Sequence, residues 1–239
     1  MPQKEMEKKY LITGTEQGEI FKRIVQETKL AENIGNYLVS GFSSKLRNYR
    51  YFDTFDARLT EKEVYTYIGP LEQEGISMSA REREHDYVLT VKFPTEDINE
   101  REEHEFPIPT GTDFYELNPD DFDFWGPMKR AKSIGRDRPL QEILRLEVET
   151  YRFDLKLNKN HVVQLAIDSV AVKGSFNIEK RFYELEVEKC SKGEESDLLA
   201  VSNFLKQKYA GYLKLAPQAK WIKARELIRG ENIKTIEEE

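Results

Sequence analysis

Cysteine and histidine are scarce in this chain, which has one cysteine, Cys190, and three histidines among its 239 residues. A single cysteine excludes an intramolecular disulfide framework and any metal site built from several cysteines of one chain. Three histidines argue against a histidine-rich zinc site. A hard metal ion bound by carboxylate oxygens remains open.

Long apolar runs are also missing. No stretch reaches the length of a membrane span, and the first residues lack the apolar core of a secretory signal, so we expect a cytoplasmic protein outside the membrane. The net charge of −7 disfavours a general nucleic-acid binder, which usually has a basic excess. No P-loop signature is present. The 11% aromatic content argues against disorder, and the length is ample for a core.

The first ten residues place charges at every second position, at Glu5, Glu7 and Lys9. Because side chains alternate along a β-strand, the three share one face. Two close carboxylates repel each other unless a cation lies between them, and a lysine in the same row can hold an anion. The triplet therefore suggests a ligand that combines a metal with phosphate, with a solvated strand face as the alternative.

The rest of the chain is organised as charge-rich strands with a few helical stretches, in one domain over residues 1–229. Eight strands are predicted, at residues 4–12, 48–54, 76–83, 87–93, 101–108, 146–157, 161–169 and 181–189. Residues 110–142 are interpreted as an insertion, with a short helix around 138–144. Residues 195–229 are expected to form C-terminal helices, and residues 230–239 a flexible tail.

Several strands carry an apolar face opposite a face of charges, and some rows have a single sign. Arg81 shares a face with Arg83, and Glu184 shares one with Glu186 and Glu188. An antiparallel sheet with one wet side explains the alternation in any one strand, but rows of like charge cost stability unless opposite charges face them. Closing the sheet into a barrel brings an acidic wall and a basic wall together across a lumen.

The motifs of this chain resemble, in order, those of the CYTH or triphosphate tunnel metalloenzyme superfamily. The hallmark Glu-x-Glu-x-Lys is matched by Glu5, Glu7 and Lys9. The later matches are Tyr51-Phe52-Asp53-Thr54, Arg81-Glu82-Arg83, Thr90-Val91-Lys92, Glu103-His104-Glu105, Ala166-Ile167-Asp168-Ser169, Tyr183-Glu184-Leu185-Glu186 and Gln218-Ala219-Lys220-Trp221. The resemblance implies an α+β fold, in which an eight-stranded antiparallel tunnel with flanking helices and a C-terminal helical segment hydrolyses or rearranges a triphosphate.

The resemblance also implies a set of site residues and Mg²⁺ or Mn²⁺ as cofactor. One ion is assigned to Glu5, Glu7 and either Glu184 or Glu186, and a second to Asp168, Glu105 and the remaining glutamate of that pair. The phosphate-binding set is Lys9, Arg81, Arg83, Lys92, Arg152 and Lys220. The catalytic set is Glu5, Glu7, Lys9, Asp168 and Glu186.

Three further residues are secondary candidates for the site. Glu103 and Glu188 can equally be solvated charges at strand ends. Arg145 competes with Arg152 for one position, because the two are an odd number of residues apart and a regular strand cannot point both inward. We assign Arg152 to the tunnel, since its distance from the seventh strand is more typical of the superfamily.

These residues lead to three hypotheses for function. The first is a metal-dependent triphosphatase whose leading substrate is inorganic tripolyphosphate. The second is a class IV-type adenylate cyclase, or a triphosphatase for a nucleoside, thiamine or RNA 5′-triphosphate. The third is a non-catalytic binder of polyphosphate or nucleotides, which would lose the metal carboxylates. The intact carboxylates favour an enzyme with a small-molecule triphosphate substrate. We expect this enzyme to be a monomer or a homodimer.

Overall fold

Antiparallel strands dominate the structure, a computed structural model that describes residues 3–55, 68–83, 86–109, 111–173 and 179–236. The strands are β1 (Gln3–Ile12), β2 (Asn33–Ile34), β3 (Tyr37–Thr54), β4 (Ser77–Arg83), β5 (Asp86–Pro94), β6 (Glu100–Ile108), β7 (Leu140–Leu157), β8 (Asn160–Lys173), β9 (Glu179–Lys189) and β10 (Leu213–Leu215). The α-helices of the described ranges are α1 (Gln17–Leu30), α2 (Pro70–Gln73), α3 (Gly126–Ile134), α4 (Glu195–Lys208) and α5 (Lys220–Arg229). No helix in these ranges is both long and apolar enough to cross a membrane.

Eight of the strands close into a barrel. Their order around it is β1-β6-β5-β4-β3-β7-β8-β9, and β9 pairs with β1 to complete the ring. All of these pairings are antiparallel. The short strands β10 and β2 extend the sheet beside β1 and β3. The predicted eight-stranded antiparallel barrel with flanking helices is therefore confirmed.

Apolar side chains outside the barrel pack under the helices and the inserted segment. Helix α1 buries Ile20 and Ile24, which lie one helical turn apart, against the same core as Leu198 of α4 and Leu165 of β8. A second core lies between strands β4–β6 and residues 114–131. Both cores lie on the outer surface of the barrel, so the inward-facing side chains of the strands enclose a separate interior.

One end of that interior is filled by helix α5. Trp221 of α5 is buried and stacks on Tyr51, with ring centroids 6.3 Å apart. Trp221 packs in a core that includes inward-facing residues of β1, β3, β7, β8 and β9, among them Val148 and Val170. The barrel is thus closed at this end by apolar packing.

Helix α2 closes the same end beside α5. The buried carboxylate of Asp53 accepts hydrogen bonds from the backbone amides of Leu71 (3.0 Å) and Glu72 (2.9 Å), at the start of α2. A Cβ at Gly69 would overlap this carboxylate, so the close approach requires glycine. Glu72 contacts Arg225 of α5 at 3.2 Å. These contacts join the Tyr-Phe-Asp-Thr motif to the C-terminal helix.

The structure differs from the predicted elements in three places. Strand β3 begins at Tyr37 rather than 48, and most of its length pairs with β7. The helix expected around 138–144 is absent. Residues from Leu140 onwards belong instead to β7, in which Leu140 pairs with Thr54 of β3. The helix of this segment is α3, which begins at Gly126. Within the expected tail, Ile236 bridges Leu215.

A candidate active site in the barrel interior

The barrel encloses a cavity of about 140 Å³ lined by all eight of its strands and by the first residues of α5. The lining alternates along each strand, as the period of two requires: on β1 it includes Glu5, Glu7 and Lys9. The charged residues that line the cavity are Glu5, Glu7, Lys9, Arg47, Arg81, Lys92, Glu103, Arg152, Asp168, Glu186, Glu188 and Lys220. Among the described residues, the lining therefore includes six carboxylates and six cationic groups.

Opposite charges are segregated onto opposite halves of the barrel. The carboxylates come from four consecutive strands, β6, β1, β9 and β8. The other four strands, β5, β4, β3 and β7, contribute only cationic groups to the charged lining: Lys92, Arg81, Arg47 and Arg152. We call these halves the acidic wall and the basic wall. Lys9 and Lys220 lie on the acidic side.

Three carboxylates converge where α5 closes the barrel. Asp168 of β8 lies directly opposite Glu184 of β9 in the sheet, and oxygens of Asp168, Glu184 and Glu186 lie within 4.8 Å of one another. We call these residues the carboxylate trio. Glu184 is fully buried behind the cavity lining. Like charges directly opposite each other are destabilising, so the trio requires a cation.

Lys220 supplies a positive charge to all three members of the trio. Its ammonium lies 2.9 Å from Asp168, 2.7 Å from Glu184 and 2.7 Å from Glu186. Lys223, one turn further along α5, reaches Glu184 at 2.6 Å and is completely buried. Two ammonium groups of α5 thus face three carboxylates, and these five groups together carry one negative charge when all are ionised.

The pKa directions at the closed end follow from burial and from these ion pairs. Burial alone would lower the pKa of Lys220, but the three carboxylates raise it well above its ordinary value. Burial raises the pKa of Asp168, against the influence of Lys220. Burial would also raise the pKa of Glu186, yet Lys220 and Lys9 together lower it. Lys220 is therefore held as a cation.

The N-terminal triplet is also engaged in ion pairs. Glu5 contacts Lys92 at 2.5 Å, and Lys9 contacts Glu7 at 2.5 Å and Glu186 at 3.6 Å. Burial raises the pKa of Glu7, Lys9 opposes this rise, and Glu5 adds to it. The triplet thus faces the lumen and is connected to the carboxylate trio through Lys9.

Glu103 and Glu188, the two secondary acidic candidates, both line the cavity. Glu103 lies 3.4 Å from Lys92. Glu188 is directly opposite Glu7 in the sheet. Burial, followed by the charges of Glu5 and Glu7, raises the pKa of Glu188 to about 7. The acidic wall is therefore more extensive than the trio alone.

Two predicted residues that the structure describes, Arg145 and Glu105, do not line the cavity, and Glu184 lies behind the lining. The guanidinium of Arg145 contacts Glu142, lies over the Tyr115 ring and is 46% exposed. Glu105, assigned to the second metal group, pairs with Arg81 and is not in the carboxylate trio. The side chain of Arg83 lies outside the described residues. By contrast, Arg152 lines the cavity.

Sequence reasoning missed Arg47 and Lys223. Arg47 precedes Tyr49 and Tyr51 on the same face of β3, and all three line the cavity. The predicted strand began at residue 48. If its two-residue alternation had been extended towards the N-terminus, Arg47 would have fallen on the same face as the aromatic motif. For Lys223, helical spacing from Lys220 was the only local signal.

Two buried oxygens of the trio have no hydrogen-bond partner among the described residues: Oε1 of Glu184, which lies 2.7 Å from the ammonium of Lys220, and Oδ1 of Asp168. Asp168 is 2% exposed, and its Oδ1 atom makes no hydrogen bond within the described part of the chain. Buried polar atoms are nearly always paired, so an orphaned carboxylate oxygen beside two other carboxylates points to a ligand. Hard divalent cations prefer such oxygen ligands. The trio therefore has the chemistry of a metal site.

Comparison with solved structures finds proteins that this chain is similar to. One, from Bacillus halodurans, is described as a putative adenylate cyclase; it is 18% identical, with 87% of this chain and 91% of that chain covered and a TM-score of 0.53. Pct1 RNA triphosphatase of S. pombe is 10% identical, with 95% and 82% covered and a TM-score of 0.35. No family model and no curated protein matches. The first likeness shows a shared fold, as the resemblance to the tunnel superfamily implied.

Proposed function

We propose that this chain is a metal-dependent triphosphatase of the triphosphate tunnel type, with inorganic tripolyphosphate as its leading substrate. The observation that carries the proposal is the division of one cavity into an acidic wall and a basic wall. A cavity of this kind can bind a cation and a polyanion at the same time. Phosphoryl transfer depends mainly on positioning and charge stabilisation, so no covalent nucleophile is needed.

Asp168, Glu184 and Glu186 are the residues that we propose for the metal. The orphaned Oδ1 of Asp168 and the convergence of three carboxylates support this choice. Mg²⁺ and Mn²⁺ are the candidates because both suit carboxylate and water ligands. When bound, such an ion would neutralise phosphate charge and activate a water molecule. Glu5 and Glu7 would supply further carboxylate oxygens, and the assignment of Glu105 stays a prediction, because Glu105 pairs with Arg81 and does not line the cavity.

The basic wall would bind the phosphate chain. Arg81 and Arg152 can contact phosphate oxygens through two N–H groups each, whereas Lys92 acts as a point charge. The side chains of Lys92 and Arg81 are 29% and 21% exposed, while those of Asp168 and Glu184 are 3% and 0% exposed. The cavity is therefore more accessible near Lys92 and Arg81 than at the trio. A triphosphate entering there would extend towards the trio, and the packing around Trp221 would exclude water at the closed end.

An organic triphosphate is the second candidate substrate, with cyclisation of ATP as one possible reaction. Tyr49 and Tyr51 stack with ring centroids 6.1 Å apart, and both line the cavity. Aromatic faces of this kind can hold a purine. The fold is also shared with a protein described as a putative adenylate cyclase.

A non-catalytic binder is the third candidate, but it would not need the carboxylate trio.

The experiment that tests the proposal is phosphate release from tripolyphosphate, pyrophosphate, ATP, GTP and thiamine triphosphate, each with Mg²⁺, Mn²⁺ or EDTA. We expect metal-dependent release that is fastest with tripolyphosphate. Glu186→Gln is expected to lose at least 100-fold in kcat, while Glu96→Gln, on an exposed turn, keeps full activity. Cyclic nucleotide formed from ATP would support the second candidate. Binding of substrate with no turnover under any condition would support the third.

Location in the cytoplasm and a monomeric or homodimeric state remain predictions. Subcellular fractionation and light scattering of the purified protein test them.

A further inference from the structure

Two of the six cationic groups that line the cavity form no ion pair with any residue that the structure describes. Lys9, Lys92, Lys220 and Arg81 each form an ion pair with a carboxylate. Arg47 and Arg152 also line the cavity, yet neither forms an ion pair or a hydrogen bond within the ranges that the structure describes. Both side chains are only partly exposed. The positive charge that is free to bind an anion is therefore concentrated on these two residues.

Arg47 and Arg152 lie on neighbouring strands of the basic wall. Arg47 is opposite Val148 in the β3–β7 ladder, and Arg152 is opposite Ser43. Their backbone positions are thus four residues apart along the ladder, about 13 Å at the usual rise per residue. Two guanidinium groups that enter one cavity from such separated positions suit an elongated polyanion better than a single phosphate ion.

The barrel places these arginines across the lumen from the carboxylates. In a ring of eight strands, β3 is diametrically opposite β1, which has Glu5 and Glu7, and β7 is opposite β6, which has Glu103. The carboxylates already have Lys9 and Lys92 as partners. Partly buried guanidinium groups left unpaired are costly, and a phosphate chain satisfies them through charge-assisted bidentate hydrogen bonds.

We propose that Arg47 is a phosphate-binding residue and that, with Arg152, it forms a guanidinium subsite for a phosphoanhydride chain on the basic wall. The proposal rests on the proposed function in that it concerns the same substrate, but it concerns binding and not hydrolysis. The ligand class is a linear polyphosphate, whether inorganic or attached to an organic group. Arg47 is an addition to the phosphate-binding residues that the sequence motifs indicated.

Calorimetric titration with tripolyphosphate in EDTA tests the subsite, because anion binding is then measured without metal or turnover. Arg47→Gln is expected to weaken binding at least tenfold, as is Arg152→Gln, because each loses charge-assisted hydrogen bonds. Arg47→Lys should lie between wild type and Arg47→Gln, since an ammonium cannot make the bidentate contact. Arg23→Gln, on the outer helix α1, is the matched control and should bind as wild type does.

Two further ligands show which part of the substrate Arg47 contacts. The loss caused by Arg47→Gln should be similar for ATP and tripolyphosphate, and smaller for orthophosphate. A loss seen only with ATP would assign Arg47 to the organic group and overturn the proposal. The melting temperature of Arg47→Gln should be no lower than that of wild type, because an unpaired cation has been removed. A structural role predicts a lower one.

The outcomes separate this inference from the proposed function. If wild type binds tripolyphosphate through Arg47 but does not hydrolyse any substrate, the subsite stands and the triphosphatase proposal fails. If wild type hydrolyses tripolyphosphate and both Arg47 variants bind it as tightly as wild type, the subsite alone is wrong. If wild type binds no tripolyphosphate in EDTA, the subsite is wrong, and phosphate release with Mg²⁺ or Mn²⁺ decides the triphosphatase proposal separately.

Discussion

The ammonium group of Lys220, in the first turn of α5, lies 2.9 Å from the carboxylate of Asp168 on β8. The same ammonium contacts the other two members of the carboxylate trio. Lys220 therefore occupies the region where a divalent cation would find its oxygen ligands. The resemblance to the tunnel superfamily assigned this lysine to phosphate, whereas the structure places it among carboxylates.

Replacing Lys220 by methionine should tighten metal binding. The ammonium of Lys220 and a metal ion compete for the same three carboxylates. Removal of the ammonium therefore removes its electrostatic repulsion of the metal ion. We expect Lys220→Met to bind Mn²⁺ about tenfold more tightly at pH 8, measured by calorimetric titration without substrate. Lys214→Met, exposed on β10, is the control. Unchanged or weaker Mn²⁺ binding by Lys220→Met would show that Lys220 does not compete with the metal.

Asp168→Asn should abolish the stabilisation of the fold by metal. A ligand that binds only the folded state raises its stability by about 2.7 kcal/mol at one hundred times its dissociation constant. We expect the melting temperature of wild type to rise with Mn²⁺ concentration and that of Asp168→Asn to stay nearly constant. Glu96→Gln should behave as wild type does. An equal rise in all three proteins would place the metal elsewhere.

Arg152 and Arg145 should differ sharply although both belong to β7. Arg152 lines the cavity, while Arg145 points outward and pairs with Glu142. We expect Arg152→Gln to raise the KM for tripolyphosphate at least tenfold and Arg145→Gln to change it less than twofold, as measured by steady-state phosphate release. The reverse result would mean that strand β7 presents its other face to the substrate.

Glu188 should make the metal-free fold less stable as pH rises. Burial and the nearby carboxylates raise the pKa of Glu188 from 4.5 to about 7. A raised carboxyl pKa contributes stability that is complete below about pH 4.5 and is lost as pH rises through about 7. Relative to Glu188→Gln, which stays neutral, wild type should therefore lose stability between about pH 5 and pH 8. Urea unfolding in EDTA measures this; a pH-independent difference contradicts it.

Glu72 should contribute strongly to stability at the closed end. Its side chain is 7% exposed and lies 3.2 Å from Arg225 and 3.1 Å from Arg229 of α5. Removing this carboxylate charge takes an ion-pair partner from two arginines of α5, one of them buried, so Glu72→Gln should lower the free energy of unfolding by about 3 kcal/mol. Glu74→Gln, two residues further and exposed, should change it by less than about 0.5 kcal/mol. Equal values in urea unfolding would show that Glu72 is dispensable.

Much of the fold follows from local pattern. The alternation of apolar and charged residues located all eight barrel strands, because side-chain direction along a strand depends only on neighbouring residues. The helix expected near 138–144 was wrong because those residues gain more from pairing with β3 than from local helical preference. The length of β3 was underestimated for the same reason: its first half is held by its partner β7.

The sequence by itself determined which residues carry charge on a common strand face, such as Glu5 with Glu7 and Lys9. That information is local, since a period of two needs no knowledge of the partner strand. Only the tertiary structure decided which charges meet. Barrel closure brings Lys220 to Asp168, and it places Arg47 in the cavity with no ion pair to any residue that the structure describes. These relationships join residues far apart in the chain, and they depend on the register and closure that the whole barrel imposes.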